Sequence, residues 1–224
     1  MFRLNNFMVF KKEVVFIVSF LFLLGFIGLV DGAATFDTDV IQVPSDGDSP
    51  YNCQSIAEDV DNDAVISFTN TTSFRNCTLN YNISLQGTLN IFNETWFMNG
   101  TSNGSTSILA NGSNAFLNVS SANITNNGTI TGNVWLIDFT NNGDNSGGVF
   151  IKDSHMSYYG YSNTAAFTGI AVQTFNLTLI NNTLTRGYDG IFVEQLSTII
   201  LIANNTIRDC TYPDSGVGIR LQNN

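Results

Sequence analysis

The chain has 224 residues, 43% of them apolar, and a formal net charge of −10. That length can bury one real core, and the acidity excludes nucleic-acid binding, which needs a basic footprint. After residue 34 only Arg75, Lys152, Arg186, Arg208 and Arg220 are basic, against sixteen acidic residues. Low charge density with abundant Asn, Ser and Thr suits an exposed or saccharide-facing surface.

Residues 1–12 carry Arg3, Lys11 and Lys12, and residues 14–30 are apolar apart from Ser19, Gly25 and Gly28. The small residues Gly32, Ala33 and Ala34 follow. Residues 1–34 therefore read as an export signal. The apolar run is also at the lower edge of a membrane span, so an uncleaved anchor helix is the alternative. In either case the basic end stays in the cytoplasm. The rest is exported: extracellular, cell-surface or membrane-anchored.

Residues 35–63 are acidic and hold two of the three prolines, Pro44 and Pro50. They predict an entry segment that caps the first coil of a repeat. Asp59, Asp61 and Asp63 have the alternate spacing of a calcium loop, which makes calcium the one cofactor considered. The pattern then breaks, with Ala64 where the loop needs Gly and Asn70 where it needs Glu. A solvated acidic cap is the plainer reading. Cys53 and Cys77 could close a loop over the first coil in an oxidising compartment. Cys210 is then the odd thiol, and the lack of a C-x-x-C argues against zinc and redox motifs.

From residue 64 the chain repeats. Leu89, Ile91 and Trp96 match Leu117, Val119 and Ile124 at an offset of 28. Leu-x-Ile is strand alternation, two side chains to one face and Asn90 or Asn118 to the other. Later, Gly148-Val149-Phe150-Ile151, Gly169-Ile170-Ala171-Val172, Gly190-Ile191-Phe192-Val193 and Gly218-Ile219-Arg220-Leu221 recur at steps of 21, 21 and 28. Such a period signals a solenoid whose coils stack on their neighbours. Val149, Ile151, Ile170, Val172, Ile191, Val193, Ile219 and Leu221 are expected to form two inward ladders, with Phe192 also inside the coil. No segment after Asp37 has a helical period over ten residues, so many short strands and almost no helix are expected. Asn-Asn-Thr corners precede Leu184 and Ile207, and Asn126-Asn127-Gly128 precedes Ile130. Asn tolerates the left-handed backbone of a tight corner and can stack into a ladder. Residues 212–216 should project as a loop. The chain stops just after a new coil opens, with no visible cap, which suggests truncation or a partner on the last coil.

Gly-Ile-x-Val, a spacer and Asn-Asn-Thr-Ile together resemble the repeats of the NosD-like and pectate-lyase-like superfamily. The resemblance is best over residues 148–224 and extends back to about residue 74. It implies an all-β fold, a right-handed parallel β-helix (solenoid) over 64–224 of about six coils, behind the N-terminal signal or anchor helix. It implies no single activity, because lyases, glycosidases, binding proteins and surface proteins share the architecture.

Sequons start at Asn70, Asn76, Asn82, Asn93, Asn99, Asn103, Asn111, Asn118, Asn123, Asn127, Asn176, Asn181 and Asn204, roughly twice the number random placement would give. They mark either a heavily N-glycosylated surface protein or simply the taste of β-helix turns for Asn beside Ser or Thr. Lyases of the superfamily imply calcium-binding Asp and an Arg or Lys base. Lys152, Asp153, Arg186, Asp189, Arg208 and Asp209 are candidates, and Glu194 with Asp189 could form a glycosidase pair. No motif matches position by position, so no catalytic residue is assigned. His155, the only histidine, reads as a surface turn residue. Arg186 and Arg208 follow equivalent corners and are expected side by side, where they could hold a carboxylated sugar. Tyr158, Tyr159 and Tyr161 offer stacking rings. The reading is an exported surface protein with a structural, adhesive or carbohydrate-binding role, its partners surface glycans or other envelope proteins. A calcium-using polysaccharide lyase or hydrolase is the alternative. A NosD-like periplasmic protein with copper comes third, weakened by the single His.

Overall fold

The computed structural model describes residues 32–224 except 38, 46–49, 73, 100–105, 127–134, 141–146, 161–168, 174, 188–189, 195–198, 211–217 and 223–224. The expected signal or anchor helix, Asn103, Asn127, Ile130, Tyr161, Asp189, the 212–216 insertion and the Glu194 side chain lie outside the described residues.

The described chain is all-β with one short helix. β1 (Thr35–Asp37) pairs antiparallel with β2 (Val40–Val43). Helix α1 (Cys53–Val60) follows, then the antiparallel pair β3 (Ile66–Asn70) and β4 (Arg75–Leu79). After that the chain visits three sheets in turn. The first circuit is β5 (Asn82–Leu85), β6 (Thr88–Phe92) and β7 (Thr95–Met98). The second is β8 (Thr106–Ala110), β9 (Phe116–Ser120) and β10 (Asn123–Asn126), and the third β11 (Trp135–Phe139), β12 (Gly148–Lys152) and β13 (His155–Ser157). Then come β14 (Ile170–Val172), β15 (Asn176–Ile180) and β16 (Thr183–Thr185), then β17 (Ile191–Glu194), β18 (Ile200–Ala203) and β19 (Thr206–Arg208), and finally β20 (Ile219–Gln222). Sheet A runs β1-β2-β5-β8-β11-β14-β17-β20, sheet B β6-β9-β12-β15-β18, and sheet C β3-β4-β7-β10-β13-β16-β19. Apart from the two antiparallel pairs, every named strand pair is parallel. Stacked parallel sheets visited in rotation fit a β-helix solenoid.

Register explains the core. On sheet A, Ile41, Ile83, Ile108, Ile137, Ile170, Ile191 and Ile219 are successive partners. All but Ile219 are fully buried. Each such side chain contributes about 1.5–3 kcal/mol, and β-branching suits the pleat. On sheet B, Leu89, Leu117, Val149, Leu177 and Ile200 form one inward row, and Ile91, Val119, Ile151, Leu179 and Ile202 the other. On sheet C the row is Cys77, Trp96, Ile124, Met156, Leu184 and Ile207. The 28-residue offset of Leu89, Ile91 and Trp96 is thus the true coil step there.

The 21-residue step from Gly148 to Gly169 is not a coil step. Gly148 opens a strand of sheet B, while Gly169, Gly190 and Gly218 precede strands of sheet A. The eight expected core residues therefore split: Val149 and Ile151 belong with Leu177 and Leu179, the other six with one another. A Gly before an alternating apolar strand looks the same on either sheet. Gly190 is needed because a Cβ there would lie 2.0 Å from the Gly218 carbonyl oxygen, the acceptor of the Ile191 N–H. Phe192 is on the outer side of sheet A, between Ala171 and Arg220, yet buried. The inward residue after the second circuit's corner is Ile124.

Helix α1 is the one helix of the described residues, in keeping with the expectation of almost no helix. Asn52 accepts from the Ser55 N–H and Ser55 Oγ accepts from the Asn52 N–H, a reciprocal capping box. The helix buries Cys53 and Ile56, and Asp61 ends it at φ 47°. A disulfide joins Cys53 to Cys77, Cα atoms 6.0 Å apart, and so ties α1 to β4.

Candidate ligand groove

The corner between sheets B and C places the site. Its first residue is left-handed in five successive coils: Asn93, Ser121, Asp153, Asn181 and Asn204, with φ of 53°, 53°, 51°, 57° and 55°. Short polar residues tolerate that region best. The next position, Glu94, Ala122, Ser154, Asn182 and Asn205, turns toward the coil. Then Thr95, Asn123, His155, Thr183 and Thr206 begin the strands of sheet C in one outward row.

The turn between β3 and β4 stands at the end of this corner. Together they bound a groove of about 810 Å³. Asn70, Thr71, Thr72, Phe74 and Arg75 come from the turn side; the corner and row residues of four coils, from Asn93 to Thr183, supply the rest. Phe74 is 54% exposed. Glu94 is the buried charge of the site. Its side chain is 1% exposed, Oε1 lies 2.9 Å from Arg75 Nη2, and Oε2 accepts from Trp96 Nε1 at 2.8 Å. Arg75 also lies over the Phe68 ring, 5.5 Å from its centroid. A buried carboxylate persists only with such partners. Asp153 accepts from Asn181 Nδ2 at 3.1 Å and faces Lys152 Nζ at 3.6 Å. Burial, and then the Arg208 charge, push His155 below its ordinary range.

The residues singled out from sequence fare unevenly. Arg186 and Arg208 are not equivalent. Arg208 is in register with Thr185 on the outer face of sheet C, whereas Arg186 lies one residue further on, at a left-handed corner. Arg186 stacks on Tyr158, 5.1 Å from the ring centroid, and donates to its hydroxyl. Tyr159 is fully buried with its ring 5.7 Å from Trp135, so it cannot stack on a sugar. Tyr158 and Tyr159 are adjacent, and at a corner that single step is the difference between half-buried and core. Asp59 lies in the last turn of α1, Asp61 caps it, and Asp63 is in the following turn. The described residues contain no group of three His, Cys, Asp or Glu side chains placed to hold a metal.

Among the described sequons, Asn70, Asn93, Asn111, Asn181 and Asn204 are exposed, while Asn76, Asn82, Asn99, Asn118, Asn123 and Asn176 are half-buried. Asn118 Nδ2 donates to Asn90 Oδ1 at 3.0 Å, and Asn99 Nδ2 to Asn80 Oδ1 at 2.7 Å.

Sequence reasoning missed Phe74, Arg75 and Glu94. The one available signal was Glu94 itself, the only acidic residue between Asp63 and Asp138. Comparison of the chain with protein-family models, with curated proteins and with solved structures gives no match.

Proposed function

We propose that the chain is an exported β-helix protein that binds glycan chains in the groove beside sheet C and leaves them chemically unchanged. The observation that carries this is the groove itself. It runs past four coils, about 14 Å at the spacing of neighbouring strands, and is lined mostly by amides and hydroxyls, with one exposed aromatic ring, Phe74. Extended polar grooves with a few rings suit polyhydroxylated chains, whose sugar faces pack on aromatics and whose rims hydrogen-bond. The basic-then-apolar N-terminus supports export. A right-handed coil follows from the handedness of parallel crossovers and from the resemblance to NosD-like and pectate-lyase-like repeats.

The test is retention of the purified chain on a panel of immobilised polysaccharides, with reducing ends counted after long incubation. Binding with no new reducing ends supports the reading. No retention on any polysaccharide, or release of shorter products, refutes it.

A further inference from the structure

Each charged side chain paired in the groove has a partner of opposite sign, Lys152 from outside the lining. Arg75 is held by Glu94 at 2.9 Å, and Asp153 faces Lys152 at 3.6 Å. The rest of the lining is amide, hydroxyl, imidazole and the Phe74 ring, apart from Ala122. Arg186 and Arg208, the pair expected to meet a carboxylated sugar, do not line it, and Arg186 is engaged by Tyr158. A site for a polyanion would present cations free of carboxylate partners.

Resting on the glycan-binding reading, we infer that the ligand is an uncharged polysaccharide. Phe74 packs against a sugar face, and Arg75, Asn123 and Thr183 bond its hydroxyls. Glu94 and Phe68 fix the Arg75 guanidinium from behind, so a hydroxyl meets an ordered donor at small entropic cost. Asn70, Asn93, Asn123 and Asn181 line the same groove and are all sequon asparagines. An N-glycan on any of them would occupy it.

The experiment uses the chain made without N-glycosylation, titrated at neutral pH against neutral polymers (glucans, mannans, galactans) and acidic ones (polygalacturonate, alginate). At least one neutral polymer should bind, tighter than any acidic one, with affinity little changed between about 50 and about 500 mM salt. Phe74→Ala, a change at an exposed ring, should weaken that binding about tenfold at unchanged melting temperature. Arg186→Ala should leave it alone. Preference for the acidic polymers, lost in salt, overturns the neutral-ligand inference but keeps glycan binding. Full affinity in Phe74→Ala overturns the placement in this groove. Failure to bind either class overturns both.

Discussion

Asn182 and Asn205 clamp two coils together. The Oδ1 of Asn205 accepts from the backbone N–H of Asn182 at 2.9 Å and from its Nδ2 at 3.0 Å. Each amide also reaches a strand of the preceding coil: Asn182 Nδ2 donates to the Ile151 carbonyl and Asn205 Nδ2 to the Leu179 carbonyl, both at 2.8 Å. Asn182 Oδ1 in turn accepts from Ser154 N–H at 3.0 Å. Only a side chain with one acceptor and two donors can do all of this.

Asn182→Ala should therefore cost about 1–3 kcal/mol, since it removes the side-chain acceptor of the buried Ser154 N–H. Asn182→Ser should cost less, because a serine already fills the equivalent place one coil earlier, where Ser154 Oγ accepts from Ala122 N–H at 3.2 Å and donates to the Lys152 carbonyl at 2.7 Å. Urea unfolding of the two variants ranks them; equal costs would show that the amide's second donor is idle.

The register of sheets A and B can be tested by coupling. Val149 abuts Leu177, not Ile170. Val149→Ala and Leu177→Ala should couple by about 0.5 kcal/mol or more, whereas Val149→Ala and Ile170→Ala should add. Ile191→Asp, which puts a charge between Ile170 and Ile219, should abolish cooperative folding or cost more than about 4 kcal/mol. A melting temperature within a degree or two of the parent would contradict the ladder.

The repeat was legible because it is written in side chains that every coil needs: alternating aliphatics, and Asn at a left-handed corner. The offset of 28 between Leu89 and Leu117 and the Gly190–Gly218 step are both true coil steps. The Gly148 step misleads because the pattern names a strand start but not a sheet. Helix α1 is hard to see for its eight residues, although Asn52 with Ser55, and Cys53, Ile56, Ala57 and Val60 at helical spacing, mark it. The groove was not legible. Phe74, Arg75 and Glu94 meet only because an antiparallel pair precedes the parallel strands of sheet C, and nothing local in the sequence announces that exception.

The Cys53–Cys77 bridge closes 24 residues around α1 and β3. Loop-closure entropy puts its contribution near 3.5 kcal/mol. Reduction, or a Cys53→Ala, Cys77→Ala double variant, should lower stability by about that much. The strands from β12 onward should stay protected in hydrogen exchange under mild denaturant while α1 opens first. Uniform loss of protection would mean the N-terminal elements are integral to one cooperative unit.

N-glycan occupancy should follow the corner. In a secretory host that glycosylates sequons, glycopeptide mapping should find Asn93 and Asn204 occupied, since each is exposed at a left-handed corner. Asn99 and Asn118, whose Nδ2 groups donate to neighbouring coils, should be empty in the folded, secreted protein. The reverse pattern would be incompatible with the Asn90–Asn118 ladder.

His155 gives the chain a pH-dependent stability term of definite sign. Burial and the positive charge of Arg208 hold its folded pKa below the ordinary value of 6.5, and the nearby corner pair Lys152 and Asp153 is an ion pair of its own at 3.6 Å. The unfolded chain then binds the proton first, so stability is complete above about pH 6.5 and is lost as pH falls toward the folded pKa. Asp138 acts in the opposite sense. Its burial raises its pKa despite two hydrogen bonds from Thr140, so the folded state takes up that proton first and gains stability toward acid. The two are separated by comparing the parent with His155→Gln in thermal melts from about pH 8 to about pH 5. The parent should lose stability relative to the variant below about pH 6.5, and Arg208→Ala should shrink the difference. A difference independent of pH would mean that His155 has the same proton affinity folded and unfolded.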